Sequence, residues 1–372
     1  VASGYENFTL SEGEVDYGET FGKLATFACS IVKPDNVGTG VRSILESYDG
    51  NIDVRYSTPA VKLITDGNKV TGVYAKDSEG AFYKFTALKG VVIATGDYQN
   101  NLAMVEKLCP DVLHFERKQY NRTGDGQLMG MMAGAVLEPI GHTKILHDFD
   151  SGPMWNEPFL CLDLNGNRIF NEETDMAYIA NYMRDYEPDK AGKYCPIFDS
   201  NGFDQVAEWG GRPSSEEAIQ KYMPDSDMEE RSGVLEDRIA VYKADTLDEL
   251  ADKLGIPAEN LKASVERYNE VVDMGWDPDF GKDPKYLKKI EKAPFWGIGK
   301  HLRLTAIAAG IITDETGNVL DEEQNPIENL YAIGNVAGPF YGSADYPMVF
   351  GGLSLGRCVT QGYVLGKDLA AK

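Results

Sequence analysis

The stretch from Asn329 to Gly366, NLYAIGNVAGPFYGSADYPMVFGGLSLGRCVTQGYVLG, constrains the chain more than any other. It predicts a short apolar strand over Leu330–Ile333, a glycine-rich turn over Gly334–Gly338, an aromatic loop over Phe340–Phe350 and a helix opened by Gly351-Gly352. An uninterrupted apolar strand fits a parallel sheet buried on both faces. Paired glycines at a helix start bare backbone N–H groups to a flat ligand, and the helix dipole there favours negative charge. An ordinary strand–loop–helix with glycines kept for packing fits the same residues, because a glycine-rich turn alone is a weak signal.

Other segments carry compatible patterns. Residues 1–36 read as loops and a short hairpin, and Gly38–Tyr48 as a helix with Val41, Ile44 and Leu45 on one face. Asp53–Phe85 reads as a meander of short strands broken at Asp66-Gly67-Asn68 and Asp77-Ser78-Glu79-Gly80, both good turn chemistry. Gly90–Gly96 (GVVIATG) is a buried parallel strand with room for a ligand at its carboxyl end. Thr123-Gly124-Asp125-Gly126 opens an apolar helix that ends near Gly134-Ala135, and an Asp in that place often serves only as a cap. From His142 to about Arg303 the sequence is richer in charge and proline. Helices are predicted there over Asp175–Met183, Ser215–Met223, Thr246–Leu254 and Ala258–Val272. Thr246 with Glu249 forms a capping arrangement, and Pro257 suits the entry of the next helix. Ala306–Thr313 and the Glu315–Asn318 turn then lead back to the opening stretch.

A chain of 372 residues is long for one domain, so two are expected. No apolar run reaches the roughly 18 residues that span a bilayer. The formal charge of −23 excludes nucleic acid and anionic membrane surfaces as natural partners. It serves solubility, or offers a docking face for a small basic electron-donor protein such as a cytochrome or a flavin reductase. Five scattered cysteines form no CxxC pair and four histidines no HExxH, so no metal is expected. The compartment, cytoplasmic or exported, is left open.

LYAIGNVAG followed by FGGLSLGR and GYVLG resembles the C-terminal flavin-binding segment of the fumarate reductase/succinate dehydrogenase flavoprotein superfamily, which includes the 3-ketosteroid dehydrogenases. KGVVIATGDYQNN, TGDGQLMGMMAGA, LNGNRIFNEE and the ELADKLGIPAENLKASVERYNEVVDMGWDPDFGK run extend the resemblance over nearly the whole chain. It implies an α/β fold: a doubly wound, Rossmann-like FAD-binding domain over 1–141 and 304–372, with an inserted α+β capping domain over 142–303 that closes over the flavin. It also implies FAD as cofactor. The expected contacts are the backbone of Ala60 and Val61 at the adenine, with Ala94, Thr95, Gly96, Thr123, Gly124, Asp125, Gly334, Asn335, Gly338, Gly351, Gly352, Leu353 and Ser354 along the rest. The superfamily's N-terminal GxGxxG does not occur after a strand here, and the chain opens at Val1, so a fragment lacking that segment is expected.

The positions that fumarate reductases fill with cationic groups fall at Met176 and Val349, with a carboxylate-clamping histidine at or beside Ala306. Their relay Glu and Arg fall near Gly152 and Trp155. A site without these groups does not grip a dicarboxylate. In their place the loop carries Phe340, Tyr341, Tyr346, Met348, Val349 and Phe350. The expected function is therefore reduction of an activated C=C bond in an α,β-unsaturated, largely apolar substrate. Tyr346, in a Tyr-Pro pair like that of the ketosteroid dehydrogenases, is the first proton-donor candidate and Tyr341 the second. His147, Trp155, Met176 and Phe350 are the substrate-side candidates. A dehydrogenase of ketosteroid type, and an accessory fragment that holds no FAD alone, remain alternatives.

Overall fold

The structure is a computed structural model. It describes residues 52–139, 141–147, 157–187, 190–210, 214–226, 231, 239–342, 346 and 353–372, and the backbone of Phe8–Asp16 and Lys23–Ile31. Those two strands pair antiparallel from Phe8↔Ile31 to Asp16↔Lys23, a longer hairpin than expected. The helix predicted over Gly38–Tyr48 lies outside the described residues. Contacts divide the chain into two units: Val1–Met104, Asn121–Thr143 and Ile307–Lys372, and Val105–Tyr120 with Lys144–Ala306.

The first unit is built on a six-stranded sheet. Its order is Asn318–Leu320, Pro326–Ala332, Lys69–Lys76 and Ala60–Asp66, with Phe82–Thr86 joined to Lys69–Lys76 and Val91–Ile93 joined to Pro326–Ala332. Val91–Ile93 runs parallel to the last strand, from Leu330↔Val91 to Ala332↔Ile93. That strand starts four residues before the apolar run, because its first half pairs with Asn318–Leu320 and with Lys69. The meander turns where the glycines fall. Gly67 has φ +60° and Gly80 φ +90°, and the Asp77 carboxylate accepts the N–H groups of Glu79 and Ala81 at 3.0 and 2.9 Å. Leu63, Val70, Ile93, Met129, Ile311, Ile327, Leu330 and Val336 close into one core beneath the sheet. Each such buried side chain contributes roughly 1.5–3 kcal/mol.

The second unit is α+β. Val241–Ala244, Phe295–Ile298, Lys193–Phe198 and Lys300–His301 lie in that order, with Leu160–Leu162 on Lys193–Phe198; the partners of Lys193–Phe198 are all antiparallel to it. Helices Leu247–Leu254 and Ala258–Met274 cover this sheet through Leu250, Leu261, Val265 and Val271. Thr246 Oγ1 accepts the Glu249 N–H at 3.2 Å, and Glu249 returns its carboxylate to Asp245 N–H rather than to Thr246. The helix expected over Ser215–Met223 is α-helical only over Glu216–Ile219 and tightens to 3₁₀ over Gln220–Tyr222. Gly202–Glu208 is a helix the pattern did not predict, since Asp199-Ser200-Asn201-Gly202 reads as a turn. Residues 105–120 also group with this unit, whereas a boundary at 141/142 leaves them in the first. Glu116 O and Lys118 N exchange bonds with Leu304 at 2.8 and 2.9 Å, and Asp111 pairs with Lys144 at 3.0 Å.

The RIFNEE motif forms the polar centre of this unit. Arg168 grips Glu172 through two bonds of 2.8 Å and reaches Asp277 at 2.8 Å. Lys282, fully buried, donates to Pro158 O at 2.6 Å and Tyr268 at 2.9 Å, with Glu172 Oε2 at 3.2 Å. Burial alone would push the Lys282 ammonium down; Glu172 and Tyr268 hold it above the usual lysine range. Two cations and two carboxylates thus enter the interior as one hydrogen-bonded set, the form in which buried charge is tolerated.

Candidate flavin site

The carboxyl end of Val91–Ile93 and the segment after Pro326–Ala332 leave the sheet side by side, tied by Ile333 N–H to Ile93 O at 3.1 Å. Ala94, Thr95 and Gly96 follow the first strand, with Gly96 at φ +78°. The helix Asp125–Met132 begins against them. A Cβ on Gly126 would stand 2.1 Å from Thr95 Oγ1 and 2.6 Å from Ile93 Cγ2, so only bare backbone lets the helix approach the strand end this closely. Gln127 Nε2 donates to Gly96 O at 3.0 Å. Gly124, left-handed at φ 76°, occupies the N-cap. Asp125 caps no backbone N–H; its carboxylate accepts the Thr123 hydroxyl at 2.9 Å.

The turn expected at Gly334–Gly338 is a single 3₁₀ turn over Gly334–Val336 followed by the two-residue strand Ala337–Gly338, parallel to Ile311–Ile312. Gly338 O accepts both the N–H and the hydroxyl of Thr313, at 3.2 and 3.1 Å. Ala60 pairs with Ala75 and Lys62 with Tyr74, which leaves Val61 in a bulge with its backbone outside the ladder. The helix described at the chain's end runs Leu353–Ala371. Ser354, expected to offer its N–H to a cofactor, instead donates it to the Tyr346 phenol oxygen at 2.8 Å. Gly351, Gly352, Phe350 and Trp155 lie outside the described residues.

The aromatic loop places Phe340 edge-on to Tyr341 at 4.8 Å between ring centroids, and Tyr341 edge-on to Tyr346 at 5.1 Å. Tyr346 is buried. Burial pushes its phenol up while the Ser354 N–H opposes the rise. Burial and the neighbouring Tyr346 push Tyr341 up to about 12, against the pull of Arg357. His147 closes the strand Lys144–His147 and Met176 opens the helix Met176–Asp185, both in the second unit. His147 is buried, and the Met176 side chain lies outside the described residues. Ala306 is buried in the strand Arg303–Ile307.

Three buried polar residues escaped the sequence reading. Asp97 accepts the N–H groups of Gln99 and Ile307 at 3.1 and 3.0 Å, and burial raises its carboxyl. Glu138 accepts the Gly310 N–H at 2.7 Å and is raised by burial. Arg357 is 4% exposed. The ATGD and LGR strings show Asp97 and Arg357 beside a glycine, and Glu138 has not even that signal; no periodicity marks a charge as buried.

A doubly wound core whose strand ends carry glycine-bared backbone defines a dinucleotide-binding flavoprotein domain. A family model described as FAD binding domain matches residues 17–346, and the chain belongs to that family. FAD is its cofactor, and the residues present fit it. Val61 falls outside the strand register in the bulge, and buried Gln127 Oε1 and Asn335 Oδ1 have no hydrogen-bond partner among the described residues. The chain is 26% identical to a vinyl phenol reductase of Lactiplantibacillus plantarum over 344 residues, 85% of this chain and 67% of that protein. It is 28% identical to an NADH:acrylate oxidoreductase of Vibrio harveyi over 326 residues, 84% of this chain and 30% of that protein. The open conformation of a flavocytochrome c3 fumarate reductase shares the fold at TM-score 0.68 and 23% identity, covering 90% of this chain and 55% of that one. A 3-ketosteroid Δ1-dehydrogenase from Sterolibacterium denitrificans does so at TM-score 0.63 and 26% identity, covering 89% and 62%. The chain thus spans two thirds or less of the length of these proteins. Among the described residues no helix is long and apolar enough to cross a membrane, and no group of three or more His, Cys, Asp or Glu can hold a metal.

Proposed function

We propose that the chain is the main part of an FAD-dependent reductase of an activated C=C bond in an α,β-unsaturated, largely apolar substrate, and that fumarate is not that substrate. The observation that carries this reading is the Phe340–Tyr341–Tyr346 cluster, which follows directly on the 334–338 turn, together with Met176, Val349 and Ala306 in place of cationic groups. FAD, when bound, supplies a hydride from N5. Addition of hydride to the β-carbon of an enone leaves an enolate, which needs a hydrogen-bond donor at oxygen or a proton at the α-carbon.

Tyr346 is the group proposed for that task. Its oxygen is fixed by the Ser354 N–H at 2.8 Å, so the phenolate left after donation already has a backbone donor in place. Its ring is held edge-on by Tyr341, which keeps the hydroxyl from wandering. The −23 charge suits delivery of electrons by a basic donor protein, with a rate that falls as salt rises. The reverse direction, a dehydrogenase of a cyclic ketone, is the second reading; the Tyr346-Pro347 pair and the 26% identity to the ketosteroid enzyme favour it.

The test uses the full-length FAD-loaded protein, reduced without oxygen and mixed with a cyclic enone or with fumarate. Flavin reoxidation should be fast with the enone and negligible with fumarate. Tyr346→Phe should keep its FAD and lose roughly 10²–10⁴-fold in reoxidation rate. Fumarate turnover matching the enone's defeats the substrate reading, and a near-normal Phe variant moves the donor to Tyr341.

A further inference from the structure

The described stretches that read as cofactor contacts are 94–98, 123–126 and 334–338. Side chains of the same unit join them from beneath. Tyr98 and His142 are 0% exposed and Glu138 is 4% exposed. The Tyr98 hydroxyl lies 2.6 Å from His142 Nδ1, and His142 Nε2 lies 2.9 Å from Glu138 O. A carbonyl oxygen only accepts, so Nε2 carries the proton. Charge on a ring closed to water is costly, so the neutral tautomer is the one that fits, and Nδ1 accepts from the Tyr98 phenol. The two bonds run in one direction along the chain of groups, and each polarises the other.

Glu138 carries the connection on to the turn. Its N–H donates to Gly310 O at 2.9 Å and its Oε1 accepts the Gly310 N–H at 2.7 Å, so one residue holds both polar groups of Gly310. Gly310 lies against the turn, since a Cβ there would stand 2.1 Å from Val336 O. The Glu138 carboxyl lies against it too, because a Cβ on Gly338 would stand 2.3 Å from Oε1. At the other end Tyr98 packs on the helix start, where a Cβ on Gly124 would stand 2.8 Å from Tyr98 Cβ. Bare backbone at Gly124, Gly310 and Gly338 thus lets the stretches close on the same side chains. Apolar residues could fill this volume equally well. Hydrogen bonds add direction to packing, so the brace fixes distances that packing alone leaves free to adjust.

We propose that Tyr98, His142 and Glu138 are positioning residues for FAD: they fix the spacing of 94–98, 123–126 and 334–338, and so set how tightly the protein holds the cofactor. The proposal rests on the reading of these stretches as cofactor contacts. The three side chains act through the backbone they hold and touch no reacting atom. A rigid ligand that spans several strand ends binds best to a site already at the right spacing, because ordering the site during binding costs affinity.

Titration of FAD into the full-length apoprotein, followed by quenching of flavin fluorescence, tests this, with the urea midpoint of the apoprotein as control. Tyr98→Phe keeps the ring on Gly124 and removes only the hydroxyl. Its FAD dissociation constant should rise about tenfold or more, because 94–98 is no longer tied to His142. Glu138→Ala should lose as much, whereas Glu138→Gln keeps an acceptor for Gly310 N–H and should stay close to wild type. In the double variant Tyr98→Phe/Glu138→Ala the two losses should fall well short of multiplying, because either change already uncouples the stretches. A Tyr98→Phe protein with a lowered urea midpoint and an unchanged FAD dissociation constant overturns the proposal, and losses that multiply strictly overturn the brace as a unit. Histidine ¹⁵N spectra of the wild type cover the case in which the variants fail to fold. The His142 ring should be neutral with its proton on Nε2, and its Nδ1 signal should move when FAD binds. A ring protonated on both nitrogens, or a signal indifferent to FAD, overturns the proposal. A wild type that takes up no FAD refutes the cofactor reading, and the proposal with it.

Discussion

Glu172→Gln is the sharpest test of what holds the second unit together. The Glu172 and Lys282 side chains are both 0% exposed, 3.2 Å apart. At an effective dielectric of about 20, unit charges at that distance attract by about 5 kcal/mol. The glutamine keeps the shape and can still accept the Cys161 N–H, which Glu172 now accepts at 3.2 Å. It removes the carboxylate that pairs with the Lys282 ammonium among the described residues, while Arg168 retains Asp277 at 2.8 Å. Uncompensated buried charge of this kind costs about 3–5 kcal/mol. All four tryptophans (Trp155, Trp209, Trp276, Trp296) lie between 144 and 306, so tryptophan fluorescence reports on this unit by itself. At a urea slope of about 2 kcal/mol/M the midpoint should fall by about 1.5–2.5 M. Lys282→Met in the same background should recover part of the loss, because it removes the stranded cation. A Glu172→Gln midpoint within about 0.5 M of wild type refutes the argument, and strict additivity of the pair refutes the coupling.

Two further outcomes follow from single contacts. Gly126→Ala puts a methyl group 2.1 Å from Thr95 Oγ1, so the helix start must retreat from the strand end and FAD occupancy should drop; full occupancy, read from flavin absorbance per protein, contradicts the placement. Burial raises the Asp163 carboxyl, but hydrogen bonds from Tyr186 at 2.5 Å and from the Asn165 and Asn167 amides outweigh it and leave it depressed. Its stabilising contribution is therefore present above about pH 4 and lost as pH falls through the folded value. Tyr186→Phe should cost about 1–2 kcal/mol at neutral pH and flatten the acid loss; an unchanged acid limb counts against this.

Much of the fold was legible because it rests on local rules. Gly67 and Gly80 turn the meander where Asp-Gly-Asn and Ser-Glu-Gly predicted turns, and Thr246 caps the helix that its spacing to Glu249 announced. The apolar run Val91–Ile93 pairs parallel to Leu330–Ala332 as its pattern announced, but only Ile93 enters the core; Val92 is exposed, so the strand is not the fully buried one its composition predicted. Illegible features depend on distant partners. Pro326–Asn329 carries no strand pattern and is a strand only because Asn318–Leu320 and Lys69 pair with it. Residues 105–120 group with the second unit through bonds to Leu304, nearly two hundred positions away, which no window of sequence contains.

The site shows the same limit in its chemistry. Reading the family's cationic positions onto Met176, Val349 and Ala306 gives a site without positive charge, and an apolar substrate follows from that. The structure buries a cation that this reading left without a role: Arg357, the last residue of the FGGLSLGR string, one turn inside the Leu353–Ala371 helix and bonded to Ala337 O. The two statements do not conflict. Arg357 is enclosed by Phe340, Tyr341 and the turn itself, and its two assigned bonds go to the frame that the cofactor contacts are proposed to share. Tyr346 is the loop residue proposed to act on substrate, so Tyr346→Phe should lower the rate of flavin reoxidation while FAD occupancy stays unchanged; a drop in occupancy instead would show that the Tyr346 contact to Ser354 N–H holds the helix start rather than the proton.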